Sequence, residues 1–137
     1  MKTQASAELD FIERFLKRIS GYVVEKWESR HLVTVTSKGD PADLLTEVDL
    51  TVQKRFADAL NQAFPDDALV AEEGSLSRLP DTPDGRAWVV DPIDGTYNFV
   101  RGMRPLFGVS IAFVEDGKTR CAGVAFPLDN RFFLASR

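Results

Sequence analysis

Leu9, Ile12, Leu16, Ile19 and Val23 recur at three- and four-residue steps, the spacing that lines one face of a helix. They predict a first helix from about residue 6 towards Trp27, its apolar stripe buried against a core. Gly21 inside it either costs helix stability or marks a place where another backbone packs close. From His31 to Leu45 the chain starts with strand-like residues and then breaks at Ser37, Lys38, Gly39, Asp40 and Pro41, which predicts a mobile loop. Thr46 with Asp49 three residues on has the form of a capping box. Val48, Val52, Phe56, Ala59, Leu60 and Ala63 then repeat at helical spacing, so a second helix runs to about Phe64, ahead of Pro65.

Beyond Pro65 the grain changes to short apolar runs: ALVAEE, WVVDPI, FGVSIAFVEDGKTRCAGVAF and RFFLAS. Val109, Ile111 and Phe113 alternate with Ser110, Ala112 and Val114, the period of a strand, and Asp116-Gly117 sits where a tight hairpin turn joins it to the next. Pro127, Leu128, Asp129 and Asn130 supply another turn. Two helices followed by turn-linked strands imply an α+β fold, with two N-terminal helices packed on a largely antiparallel sheet. With no closing element after it, RFFLAS is expected to form an edge that another subunit or further chain covers.

A chain of 137 residues closes one hydrophobic core, and residues 1–137 are read as one domain. Hydrophobic residues at 44% and charged residues at 28% are the balance of a folded protein. A net charge of −4 argues against a broad grip on a nucleic acid polymer, which depends on Lys and Arg neutralising phosphates. A small anionic substrate remains compatible, because a bound metal supplies positive charge locally. The single cysteine, Cys121, has no intrachain partner and fits a reducing setting. No apolar run is long enough to span a bilayer and the amino terminus has no signal-peptide core, so no membrane association and a cytoplasmic location are expected.

The chemistry concentrates at two strand ends. Glu72 and Glu73 follow ALV, and Asp91 and Asp94 bracket the end of WVV. Several carboxylates at one sheet edge repel one another unless a cation is bound, and hard oxygen ligands point to Mg²⁺ rather than zinc. Pro92 stiffens the turn, Ile93 can offer a backbone carbonyl while its side chain stays in the core, and Gly95 permits close backbone approach to a ligand. Thr96 stands where a helix could begin, and amides at such a start attract phosphate. Plainer readings stand beside these: Asp49 as the N3 member of a cap, Lys38 as solvated, Arg101 and Arg104 as surface residues, His31 as structural or exposed, and Cys121 as packing. Haloacid dehalogenase phosphatases separate their two aspartates by one residue, where two separate Asp91 from Asp94, and an EF-hand loop needs a ligand where Ile93 sits.

The ordered set of a Lys38 loop, Asp49, paired Glu72-Glu73, and DPIDGT followed by Asn98-Phe99 resembles the inositol monophosphatase family, magnesium-dependent and often lithium-sensitive phosphatases, over most of the 137 residues. The resemblance implies the first half of a layered α/β sugar-phosphatase-like sandwich, with the C-terminal half absent. It implies that Glu72, Asp91 and the Ile93 carbonyl hold a first Mg²⁺, that Asp91 and Asp94 share a second, and that Glu73 holds the outer shell or the loop. Asp49 and Thr96 would position and deprotonate the attacking water, amides near Gly95 and Thr96 would receive the phosphate, and the Lys38 loop would close over the site. The implied reaction is hydrolysis of a small phosphate monoester, of an inositol, a sugar or a related metabolite, by direct attack of water and without a phosphoenzyme. A 3′-phosphoadenosine-type nucleotide phosphatase of the same family is the alternative substrate class, and a non-catalytic, truncated metal- or partner-binding module is the alternative of another kind. A homodimer or pairing with a C-terminal half is expected to cover the exposed edge. Two departures from the family pattern stand out: Ala71 where many members have glycine, and no tryptophan-aspartate motif, since Trp27 and Trp88 precede Glu28 and Val89.

Overall fold

The computed structural model describes residues 4–73, 85–104 and 106–137. Helix α1 (Gln4–Glu28) buries Phe11, Ile12, Phe15, Leu16, Ile19 and Val23, the predicted stripe with two phenylalanines added and Leu9 only half-buried at its edge. Among the described residues no atom beyond its own helix backbone and chain neighbours lies within 4 Å of where a Cβ on Gly21 would stand, so no other backbone packs against it and its helix cost remains.

The predicted loop is a hairpin. Strands β1 (Val35–Ser37) and β2 (Leu44–Thr46) pair antiparallel, with Val35 opposite Thr46. The polar residues that read as a breaker close the turn locally: the Asp40 carboxylate accepts from the Ala42 amide at 2.8 Å, and the Lys38 amide donates to the Asp43 carbonyl at 2.8 Å. Composition marked the reversal correctly, but could not show that its side chains supply their own partners.

Helix α2 (Glu47–Ala63) starts on the expected capping box, with the Thr46 hydroxyl accepting from the amides of Val48 and Asp49. Five strands follow: β3 (Ala68–Ala71), β4 (Arg86–Asp94), β5 (Gly108–Glu115), β6 (Lys118–Phe126) and β7 (Arg131–Ser136). They form one sheet in that order, with β3 and β4 parallel and every later pair antiparallel. Asp116 and Gly117 both take positive φ, 52° and 68°, as the two central residues of a tight hairpin turn require.

Both long helices lie on one face of the sheet. Trp88, fully buried, is the hub: its ring centroid is 5.2 Å from Phe11 on α1 and 4.9 Å from Phe113 on β5. On β6, a Cβ at Gly123 would stand 2.6 Å from Ile12 Cγ2 and 2.9 Å from Leu16 Cδ1, so glycine there sets how closely α1 approaches the sheet. The other face carries no helix among the described residues. Val89 on β4 is 41% exposed and Phe133 on β7 is 57% exposed, while Ala112 and Val124 are half-buried.

At the end of the sheet where β4 begins, Arg86 ties the layers together. It pairs bidentately with Asp67 at 2.8 and 3.0 Å, and reaches Glu8 of α1 at 2.9 Å and Glu115 at 3.2 Å. The Trp88 indole donates to the same Asp67 at 2.7 Å. Asp67 and Glu8 are buried, and burial of an acid is tolerable only with such partners.

Two stability outcomes follow from this packing. Gly21→Ala, in an exposed helical position with open space around it, should stabilise the protein by about 0.5–1 kcal/mol in denaturant unfolding. Arg86→Met should cost about 3–5 kcal/mol, because two buried acids lose their cation; a loss below about 1 kcal/mol would show that the network contributes little.

Candidate functional site

The site is built where β4 leaves the sheet. Asp91 pairs with Ser110 and Asp94 with Gly108, so three steps on β4 match two on β5, which is a β-bulge. The extra residue lets Pro92 and Ile93 both turn inward while Asp94 remains exposed. Gly95 follows with φ 92°, and a Cβ there would lie 2.5 Å from the Leu106 carbonyl oxygen, so both the turn and the close approach require glycine. Thr96 then opens the short helix α3 (Thr96–Val100), and Asn98 holds the return segment by donating to the Leu106 carbonyl at 2.7 Å.

Asp49 does two things at once. Its Oδ2 accepts from the Thr46 amide at 2.9 Å, completing the cap, while its Oδ1 accepts from the Thr96 hydroxyl at 2.7 Å. The Ile93 carbonyl is a second acceptor for that hydroxyl, at 3.0 Å. Burial pushes the Asp49 carboxyl above its ordinary value, against hydrogen bonds from Thr46 and Thr96 that pull it down. The cap and the Thr96 link use separate oxygens of one carboxylate.

Strand β3 lies parallel to β4 with Ala71 opposite Val90, which carries Glu72 alongside Asp91. The Asp91 carboxyl is pushed up to about 7, first by burial, then by a hydrogen bond with Glu72 and its charge, then by the charges of Asp94 and Asp49. Its Oδ1 is buried and has no hydrogen-bond partner among the described residues. Among the described residues, no three His, Cys, Asp or Glu side chains already close into a metal-binding cluster. Even so, an unpartnered carboxylate oxygen beside a second acid fits a hard divalent cation, which would satisfy that oxygen and offset the repulsion. Glu72 and Asp94 are exposed and open to such an ion.

Glu73 turns away from Asp91. It is buried, and the Lys38 ammonium of the β1–β2 turn donates to its carboxylate. Burial lowers the Lys38 basicity, but the bond and charge of Glu73 outweigh it and hold the ammonium above its usual range. The backbone of Glu73 is gripped by Gln53 of α2, whose Oε1 accepts from the Glu73 amide at 2.9 Å while its Nε2 donates to the Glu73 carbonyl. Sequence reasoning passed over Gln53. The available signal was its place one helical turn after Asp49, a polar residue beside the apolar stripe.

The remaining polar residues singled out in the sequence stand apart. Arg101 lies over the Tyr97 ring, and Arg104 lies over Trp27 and donates to the Leu128 carbonyl. His31 is exposed in a short turn, and Cys121 is a buried strand thiol pushed up to about 11 by burial and by Glu8, which disfavours the nucleophilic thiolate. No helix among the described residues is long and apolar enough to cross a membrane.

Two helices over a mixed sheet, with acids gathered at a bulged strand end, define an α+β fold whose site lies at the sheet margin. The chain belongs to the inositol monophosphatase family, whose model matches residues 6–137. It is 34% identical over 127 residues to the fructose-1,6-bisphosphatase/inositol-1-monophosphatase of Thermotoga maritima, covering 93% of this chain and 46% of that protein. It is 33% identical over 129 residues to the Nus factor SuhB of Vibrio cholerae, covering 94% of this chain and 47% of the relative. A solved inositol monophosphatase/NADP phosphatase complexed with Mg²⁺ and phosphate matches with a TM-score of 0.85 at 27% identity, over 98% of this chain and 49% of that one. The chain thus spans about half the length of the relatives it matches, and its fold is that of their N-terminal half.

The raised Asp91 carboxyl sets a pH dependence. Its folded value of about 7 exceeds the ordinary 3.8, so between those pH values the folded chain holds a proton that the unfolded chain has lost. This contribution to stability falls as pH rises towards 7, and a bound cation offsets it. Mg²⁺ should therefore raise the unfolding midpoint more at pH 8 than at pH 5, and Asp91→Asn should stabilise the metal-free chain at pH 8 while removing the Mg²⁺ increment. Equal increments at both pH values, measured by thermal unfolding, would count against a cation at Asp91.

Proposed function

We propose that this chain carries the first metal site and the phosphate-receiving turn of a magnesium-dependent phosphomonoesterase that hydrolyses a small phosphorylated metabolite. The observation that carries the reading is the buried, unpartnered Oδ1 of the acid-flanked Asp91, beside the Thr96–Asp49 pair. Glu72, Asp91, Asp94 and the Ile93 carbonyl would hold Mg²⁺, which supplies charge neutralisation at the phosphate when bound. Inositol monophosphatase relatives and a neighbour solved with Mg²⁺ and phosphate support the class.

Thr96 and Asp49 supply the proton path. The Thr96 hydroxyl donates to Asp49, leaving its lone pairs free to accept from a water. As that water attacks phosphorus, its proton passes to Thr96 Oγ while the hydroxyl proton moves to Asp49 Oδ1, leaving the threonine unchanged. The ester P–O bond breaks, and the departing alkoxide takes a proton from solvent water and leaves as the alcohol. A buried carboxylate with a raised proton affinity suits this role better than a solvated one. The backbone at Gly95 and Thr96 would bring amides to the phosphate, and the Lys38 hairpin would bound the site through its hold on Glu73.

The name of the inositol monophosphatase/NADP phosphatase neighbour favours keeping a nucleotide phosphate as the second substrate class. The bare sheet face, with Val89 and Phe133 exposed, supports a second polypeptide layer over it, in a homodimer or from a C-terminal half such as the relatives possess.

Phosphate release from a panel of inositol, sugar and nucleotide monophosphates, with and without Mg²⁺, tests the reading on the 137-residue chain. Mg²⁺-dependent release that drops at least about 100-fold in Asp94→Asn is expected. Tight Mg²⁺ binding without turnover would instead identify a non-catalytic module, and equal release by both proteins would remove Asp94 from the site.

A further inference from the structure

Strand β3 ends at Ala71, and Glu72 and Glu73 lie beyond its ladder, so pairing with β4 does not fix their backbone. What fixes it is a side chain. Gln53, 1% exposed in the middle of α2, donates its Nε2 proton to the Glu73 carbonyl and accepts the Glu73 amide on Oε1. One carboxamide thus satisfies both backbone groups of one residue, the double exchange that an antiparallel strand partner makes. Gln53 lies four residues after Asp49, on the same face of the helix and about 6 Å along its axis. The same helix therefore holds the turn after β4 through Asp49 and Thr96, and the turn after β3 through Gln53 and Glu73.

Of the two acids that meet at the site, Asp91 is set within β4 by its pairing with Ser110, while Glu72 lies in the turn after β3, whose backbone α2 holds through Gln53. The Glu73 side chain cannot serve as this tether for the backbone, because it is committed to Lys38 of the hairpin. A hydrocarbon side chain at position 53 would leave the Glu73 amide and carbonyl buried and unpaired, so the turn would shift towards water and carry Glu72 with it.

We propose that Gln53 is a positioning residue of the metal site: its carboxamide clamps the Glu73 backbone and thereby sets where the Glu72 carboxylate stands relative to Asp91. This role rests on the reading of Glu72 and Asp91 as ligands of a divalent cation. It assigns Gln53 no contact with metal or substrate.

The test is calorimetric titration of the 137-residue chain with Mg²⁺, together with hydrogen exchange at the Glu73 amide, in wild type, Gln53→Met, Glu72→Gln and Leu60→Ala. Leu60 is buried in α2 away from the turn and supplies a destabilised control. Gln53→Met should weaken Mg²⁺ binding about tenfold, the scale of loss when a group orienting a ligand is removed. It should also strip exchange protection from Glu73, while Leu60→Ala keeps Mg²⁺ affinity within about twofold. If Gln53→Met does not fold, Gln53→Asn, one methylene too short to span both backbone groups, carries the same thresholds. A folded position-53 variant that binds Mg²⁺ within twofold of wild type, when Glu72→Gln does not bind, overturns the role of Gln53. Wild type binding Mg²⁺ no better than Glu72→Gln overturns the metal-site reading itself, a distinct result.

Discussion

The seat of α2 on the sheet is the constraint on which the rest depends. Val52, Phe56 and Leu60 bury one stripe of the helix, and Phe56 packs against Phe11, Phe15 and Trp88 in a single aromatic cluster. That packing fixes the height and rotation of the helix to within the tolerance of a close-packed core. Asp49 and Gln53 lie on the same helix, so their positions follow from the packing rather than from the strand ends they hold. The carboxylates are placed by a core that contains none of them.

The same geometry explains why acids can accumulate at one margin. At the β4 origin, Arg86 compensates Asp67 and Glu8, so acids buried at that end are paired. At the β4 terminus no arginine or lysine among the described residues pairs with Asp91, and Lys38 is spent on Glu73. Each end of one strand thus gathers negative charge, but only one end supplies its own cation. At the uncompensated end the strand bulges, leads into a glycine at positive φ and carries an unpartnered carboxylate oxygen, each of which costs stability without serving the core.

Much of this was legible in the sequence, and the reasons are specific. The apolar stripes of α1 and α2 are long and periodic, and Thr46 with Asp49 is a local signal, so both helices and the cap could be read directly. Alternation through Val109 to Phe113 and the Asp116-Gly117 pair did the same for the β5–β6 hairpin. The β1–β2 hairpin was read as a mobile loop because its strands are three residues each, too short for a period to show. Gln53 was harder to read for another reason: its place one turn after Asp49 was visible, but its partner lies twenty residues away and is a backbone group, which leaves no mark in the sequence. Asp49 was the mixed case. Its cap reading was visible locally and its link to Thr96 came only from family resemblance, yet the structure assigns the two to different oxygens.

That division of Asp49 bears on how such a site tolerates change. Replacing it with asparagine would keep a side-chain oxygen for one partner and set an amide against the other. Thr46 presents an N–H and Thr96 a hydroxyl, and the hydroxyl can turn to the Ile93 carbonyl instead, whereas the Thr46 amide has no such second acceptor among the described residues. The asparagine oxygen would therefore stay with the cap, and the helix would keep its start while the Thr96 link was lost. The cap and the Thr96 link share a residue here, but their demands on its two oxygens are unequal.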